Sequence, residues 1–480
     1  MKKLATALTT ALLAAGLQGA SAFGAASGAA SGPAGDTPSA GSWTGGDSYF
    51  PADGNGGYDV RHYDIHDSYA IASHRLRGWT RVTARATQDL SSFHLDLLLP
   101  VDAVSVDGVR ARFAKTTRHE LVVTPAEPIA AGSVFWVRVD YHGDPSTIAW
   151  GGERTWSADD HEVVAMNQPH IASWWFPAND HPQDKARFDI TVRVPAGNKV
   201  IANGRLVKAT FGRTQNTFHW RPRDPMATYL AFFAGGRFRV ERGVHDGLPW
   251  TIAVSKRLPD QQEKRSWQLM RTTPKVVSWL ASQVGAYPFE TTGGVSTSLD
   301  PGFALENQTR PTYPFWGGAE GVSVVVHEQA HQWFGDDVAL KRWRDIWLNE
   351  GFATFMELRW AETHGGRDAQ RALLAAYNSH PAGDDVWSRP VAAPGARHIF
   401  DDAVYDRGSW ALQALRHRIG EADFWRLLRT WARQHHRGNA TTAQFTALAE
   451  GISGEDLDGF FHNWIFTTGK PARTTENGLG

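Results

Sequence analysis

The stretch VVVHEQAHQWFGDDVALKRWRDIWLNEGFATF, Val324 to Phe355, constrains the fold more than any other. His327 and His331 stand four apart. On a helix that spacing puts both imidazoles on one face, one turn apart, close enough to share an ion. Glu350 follows His331 by nineteen residues and begins a second helical pattern, WLNEGFATF. A helix-turn-helix brings it back to the same ion. Glu328 lies about 100° round the first helix from His327, so it cannot easily share that ion. It can reach a water held there and take its proton. Hydrolytic zinc sites use three protein ligands and keep one position for water. The chain has no cysteine, so any metal must use His, Asp or Glu. The bland alternative is a surface or core-edge helix with satisfied polar groups; Glu350 at its spacing argues against it.

A chain of 480 residues is too long for one ordinary core, so two or three domains are expected. The N-terminus reads as a secretory signal peptide, residues 1–22. Lys2 and Lys3 precede an apolar run, Leu4 to Leu17, and Ala20-Ser21-Ala22 offers a cleavage site after Ala22. The run is too short to span a bilayer, so the expected location is extracellular, with no membrane span. Residues 23–47, rich in Ala, Gly, Ser and Pro, read as a flexible linker. Residues 48–246 carry β patterns. Thr80–Thr87, Phe93–Leu99 and Phe135–Gly143 alternate in polarity, Val104–Val109 signals a turn, and Ala186–Leu206 gives two strands round a Pro-Ala-Gly turn. Short strands at this spacing predict a sandwich of antiparallel sheets. Beyond about 247 the period becomes helical, apart from a short β segment near Val295–Glu306. Gly335, Gly365 and Gly420 fit helix C-caps, and Thr441 or Thr442 an N-cap. The fold class is therefore multidomain α+β, with a β-sandwich followed by a mostly α domain over 247–471 and a tail over 472–480. With a formal net charge of −1, nucleic acid and anionic membranes are poor partners. The 21 tryptophans invite a carbohydrate-binding reading, but Trp343, Trp347, Trp360 and Trp464 sit in helical or strand patterns where core packing is the expected role.

HEQAHQWFGDDV followed by WRDIWLNEGFATF resembles the zinc signature of the aminopeptidase N family, which includes the leukotriene hydrolases. GFALENQTR (Gly302–Arg310) is similar to that family's substrate-binding strand, VYDRGSWALQALR (Val404–Arg416) to its catalytic-tyrosine stretch, and NQPHIASWWFPANDHPQDKARFDI (Asn167–Ile190) to the β segment bordering the site. FFHNWIFTTGKP (Phe460–Pro471) resembles the end of the thermolysin-like domain. The resemblance covers about residues 55 to 471. It implies His327, His331 and Glu350 as ligands of one zinc ion per chain, Glu328 as general base and Tyr405 as donor to the oxyanion. It further implies Glu306 as anchor of the substrate's α-amino group, with Gln168, Ala304 and Asn307 as further substrate contacts. The chain departs from the pattern in several places. Phe303 stands where the strand usually has Gly, Leu305 replaces Met, Asp336 stands for Asn and Ala178 for Cys. His170 falls where a second amine-binding glutamate is frequent, so amine recognition is expected to rest on Glu306. Only Ala472–Gly480 follow the catalytic domain, which leads to the expectation of an open cleft. The implied activity is that of a secreted, monomeric zinc aminopeptidase acting on peptides with a free N-terminus. A zinc endopeptidase with the same core, an epoxide hydrolase and a non-catalytic peptide-binding protein are the rival readings.

Overall fold

The computed structural model describes residues 37–314 and 321–480. The signal-peptide reading, 1–22, and the first part of the linker lie outside the described residues.

The β half is built on an eight-stranded sheet. Its centre is the hairpin Tyr58–Ala70 with Arg75–Ala86, in register from Tyr58 opposite Ala86 to Ala70 opposite Arg75. Tyr58, Val60, Tyr63, Ile65 and Tyr69 are buried. A register shift between Val60 and His62 keeps these apolar side chains on one face although the parity of their numbers changes. Val134–Gly143 and Val101–Val106 extend the sheet on one side. On the other, Arg187–Pro195 runs parallel to Tyr58–Ala70, with Ile190 opposite Ile65. The sandwich is thus not wholly antiparallel, because the chain returns to this edge only after a long excursion. Two four-stranded sheets cover the buried face. Tyr58 meets Phe93 of the strand Leu90–Asp96, and Tyr69 meets Phe233 of the strand Phe233–Gly236.

Residues 38–47 differ from the flexible linker their composition suggests. Ser39–Ala40 pairs in parallel with the strand beginning at Leu90. The Asp47 carboxylate accepts from the Tyr49 N–H at 2.7 Å, from His181 Nε2 at 3.2 Å and from the Trp343 N–H at 2.9 Å. Small residues suit a strap lying flush on two surfaces as well as they suit a linker. A Cβ on Gly41 would stand 2.6 Å from the Gly56 carbonyl oxygen.

The hairpin Phe238–His245 with Leu248–Ser255 joins Thr292–Ser296 and Thr312–Tyr313 in one sheet, the last two pairings parallel. The border expected near 246 would cut this hairpin, which belongs with the second half. Thr292–Ser296 is buried on both faces, as parallel strands usually are, so polarity alternation does not mark it. Around the sheet stand the helices Asp260–Met270, Thr273–Val284, Ser323–Ala330, Trp347–Thr363, Ala369–Ser379, Gly408–Ile419, Glu421–Gln434 and Thr442–Ser453. Thr441 caps the last of these in a capping box with Gln444. Trp343, Trp347 and Trp464 are buried in the core, as expected of packing residues.

One helix contact sets the geometry of the cleft. Gly351, on Trp347–Thr363, faces Gly408, which opens Gly408–Ile419. A Cβ added to Gly351 would lie 3.0 Å from the Gly408 main chain, and one on Gly408 would lie 3.0 Å from Gly351 Cα. Only glycine at both positions lets the two backbones approach this closely.

Candidate active site

His327 and Glu328 lie on the helix Ser323–Ala330, and His331 continues its last turn with φ −58° and ψ −24°. Glu350 comes from the first turn of Trp347–Thr363. The Nε2 atoms of His327 and His331 each stand 3.3 Å from Glu350 Oε2. Two donors about 2.0–2.1 Å from a shared tetrahedral ion lie roughly 3.3–3.4 Å apart, so this set fits zinc. Burial alone would raise the Glu350 carboxyl, yet the facing histidines bring it down to about 2.

The opposite ring nitrogens are engaged. His331 Nδ1 is 3.1 Å from the Phe334 carbonyl oxygen, which can only accept, so Nδ1 carries a proton and Nε2 is the ring atom that would bind a metal. His327 Nδ1 meets Glu357 Oε1 at 2.8 Å, and the Ser323 hydroxyl donates to the other Glu357 oxygen. Outer carboxylates of this kind fix tautomer and ring orientation at metal centres. The sequence reading missed Glu357. Its signal was available, since it lies seven residues after Glu350 and so projects from the same helix face two turns on.

Gln168, Ala304, Glu306, Glu328 and Tyr405 line one cavity of about 540 Å³ with the three candidate ligands. Glu328 is buried, and burial pushes its carboxyl up to about 8 against the pull of His327 and His331. Tyr405 sits in a π-helical turn, Ala403–Arg407, just before Gly408. Its ring stacks near His327 with centroids 6.0 Å apart. Burial, then the charges of Glu350, Glu306 and Glu328, hold its phenol well above the usual range, so it stays an O–H donor. Glu306 Oε1 accepts from Gln168 Nε2 at 2.9 Å and from the Tyr229 hydroxyl at 3.2 Å. Tyr229 is a second residue that sequence reasoning missed; no local pattern sets it apart from a core tyrosine. Gln332 Nε2 holds the Glu306 main-chain oxygen at 3.0 Å.

One expected substrate contact, Asn307, turns out differently. Asn307 is fully buried and does not line the cavity. Its Nδ2 donates to the Leu230 carbonyl at 3.3 Å, so its side chain braces the segment behind Glu306. His170 points away into the β half, with Nε2 2.5 Å from Asp53 Oδ2 and its ring edge-on to Phe50. Burial would lower this imidazole, but Asp53 and Glu153 raise it to about 10. Asp336, the departure beside the histidine helix, is buried, and neither carboxylate oxygen finds a hydrogen-bond partner among the described residues. Burial drives its carboxyl up.

Comparison with known proteins places the chain in a family. Residues 60–230 match the peptidase M1 N-terminal domain and residues 318–464 the peptidase family M1 domain. A leucyl aminopeptidase of Saccharolobus solfataricus is 29% identical over 447 residues, 86% of this chain and 54% of its own length. A tricorn protease-interacting factor F2 of Thermoplasma volcanium is 27% identical over 62% of this chain and 40% of its own. The chain thus spans about half the length of the curated relatives it matches. Among solved structures, an M1 zinc metallopeptidase from Deinococcus radiodurans superposes with a TM-score of 0.79 at 30% identity, covering 91% of this chain and 99% of that one. A glutamate-to-alanine mutant of the M1 zinc metallopeptidase from that organism, bound to a Tyr-Ser-Ala substrate, matches with a TM-score of 0.79 at 29% identity, covering 90% of this chain and 100% of that one.

Proposed function

The chain belongs to peptidase family M1, and on that premise we propose that it is a zinc aminopeptidase that removes the first residue of peptides. When bound by His327, His331 and Glu350, zinc supplies Lewis acidity, lowering the pKa of a water and polarising a carbonyl. Glu328 lies beside that position and takes the proton of the attacking water, then returns it to the leaving amine. The Tyr405 hydroxyl donates to the oxyanion that forms on the scissile carbonyl. Glu306, with Gln168 as neighbour, receives the substrate's ammonium and sets the cut one residue in. The observation that carries this reading is the placement of Glu306. Its carboxylate is buried in the same cavity as the candidate ligands, and its partners Gln168 and Tyr229 are neutral, which leaves its charge for a cationic guest.

The test is a set of peptides with free and acetylated N-termini. A charge-assisted hydrogen bond to a buried carboxylate is worth about 1.5–3 kcal/mol. The acetylated peptide should therefore turn over at least ~10²-fold more slowly, roughly 2.7 kcal/mol of transition-state stabilisation. Glu306→Ala should narrow the gap by slowing the free-amine peptide, because His170 points elsewhere and offers no second anion. Equal rates, or cuts in mid-chain, would replace this reading with a zinc endopeptidase.

We propose export from the leader-like pattern of Lys2, Lys3 and Leu4 to Leu17. Among the described residues no helix is long and apolar enough to cross a membrane. Recovery of mature chains beginning at Phe23 from the medium would bear the export out, and a full-length chain retained in the cells would refute it.

A further inference from the structure

The β half buries a second group of metal-binding side chains, far from the family signature in sequence. Asp96 closes the strand Leu90–Asp96 and Glu120 opens the strand Glu120–Thr124. The register places them opposite one another, and the Leu97 N–H donates to the His119 carbonyl at 2.8 Å, which brings His119 alongside. Asp96, His119 and Glu120 are all buried. Two carboxylates facing each other across an antiparallel pair repel, and burial deepens the cost.

Each carboxylate has one oxygen tied down and one free. Asp96 Oδ2 accepts the Gly54 N–H at 3.0 Å and the Asp180 N–H at 2.7 Å. Glu120 Oε2 lies 3.2 Å from His94 Nδ1. The His119 ring stacks flat on Trp150, with centroids 4.8 Å apart and planes 4° from parallel. The remaining atoms, Asp96 Oδ1, Glu120 Oε1 and His119 Nδ1, have no hydrogen-bond partner among the described residues. They converge within 4.8 Å of one another. His119 Nδ1 is 3.6 Å from Asp96 Oδ1 and 3.8 Å from Glu120 Oε1. Those separations are too long for good hydrogen bonds. They approach the roughly 3.3–3.6 Å between two ligands of one tetrahedral ion.

We propose that Asp96, His119 and Glu120 hold a second divalent cation, zinc by its donor set, as a structural site in the β half. Two carboxylate oxygens and one imidazole suit zinc; calcium prefers an all-oxygen shell and copper(I) a thiolate. The ammonium of Lys115 donates to the Leu97 carbonyl, and His94 meets the outer oxygen of Glu120, so neither occupies the space between the three inward atoms.

Zinc counting by mass spectrometry on the desalted full chain, after incubation with excess zinc, tests this directly. The wild type should carry about two zinc ions, one structural and one catalytic. The His327→Ala/His331→Ala double variant should keep one, and its thermal midpoint should fall when a chelator is added. Adding Asp96→Asn or His119→Gln to that double variant should remove the remaining ion. A wild type with one zinc, or a double variant with none, overturns the proposal. An ion that survives both Asp96→Asn and His119→Gln overturns it too, since it would sit elsewhere. If the triple variants do not fold, the double variant still decides, because its β half is untouched. Peptide turnover is not the readout, so failure here and failure of the aminopeptidase reading are distinguishable.

Discussion

The centre at His327, His331 and Glu350 and the cluster at Asp96, His119 and Glu120 use the same donor types and differ in what surrounds them. In each, two of the three side chains are held through one atom and leave another pointing inward: His327 and His331 in the first, Asp96 and Glu120 in the second. The first opens on a cavity of about 540 Å³ and has Glu328 and Tyr405 at its wall. The second is closed by strands, and its neighbours are His94, Lys115 and main-chain amides. Ligand chemistry alone therefore does not make a catalytic site. An open coordination position, a base and an oxyanion donor do.

The sharpest way to break the comparison is Glu328→Gln. It should lower turnover about 10²–10⁴-fold with zinc content unchanged, since an amide cannot take a proton. A loss below tenfold would show that the cavity wall holds another base. Tyr405→Phe should follow, with kcat down by about 10²–10³ and KM nearly constant, because its hydrogen bond forms to the transition state. An unchanged kcat would assign the oxyanion to a different donor. Glu357→Gln should weaken zinc by about 10–100-fold without emptying the site, as read by competition with a graded chelator. Unaltered affinity would mean that the Phe334 carbonyl alone orients the pair. The smallest effect is expected at the strap. Burial would raise the Asp47 carboxyl, but His181 and the Trp343 and Tyr49 amides bring it to about 2. A depressed folded-state value stabilises the chain above the unfolded pKa of about 3.9, and that gain, about 2 kcal/mol at most, is lost as pH falls from about 4 to 2. Asp47→Asn should lower stability at pH 7 and flatten the acid limb in this window. An acid limb identical to the wild type would refute the clamp.

How far the sequence reveals these features follows from how each is assembled. His327, Glu328, His331 and Glu350 are legible because helix periodicity converts spacing into direction. Glu306 and Tyr405 are legible only through resemblance, since neither the Leu305–Thr312 bridge nor a π turn has a local signature. Asp96, His119 and Glu120 are hidden, because strand register rather than spacing brings them together. The strap at 38–47 is hidden for another reason. Ala, Gly and Ser serve a segment pressed against a surface as readily as a loose one. His170 stands between the two kinds. Its replacement of a frequent glutamate is visible in the sequence, but its pairing with Asp53 requires the fold.

The closeness of Gly351 and Gly408 makes two positions one heritable unit. Neither can gain a methyl alone, and exchanging residues between them helps neither, because each is the other's obstacle. A methyl at either place would push the helix that carries Glu350 away from the turn that carries Tyr405, so this one contact holds the carboxylate and the phenol to the same cavity.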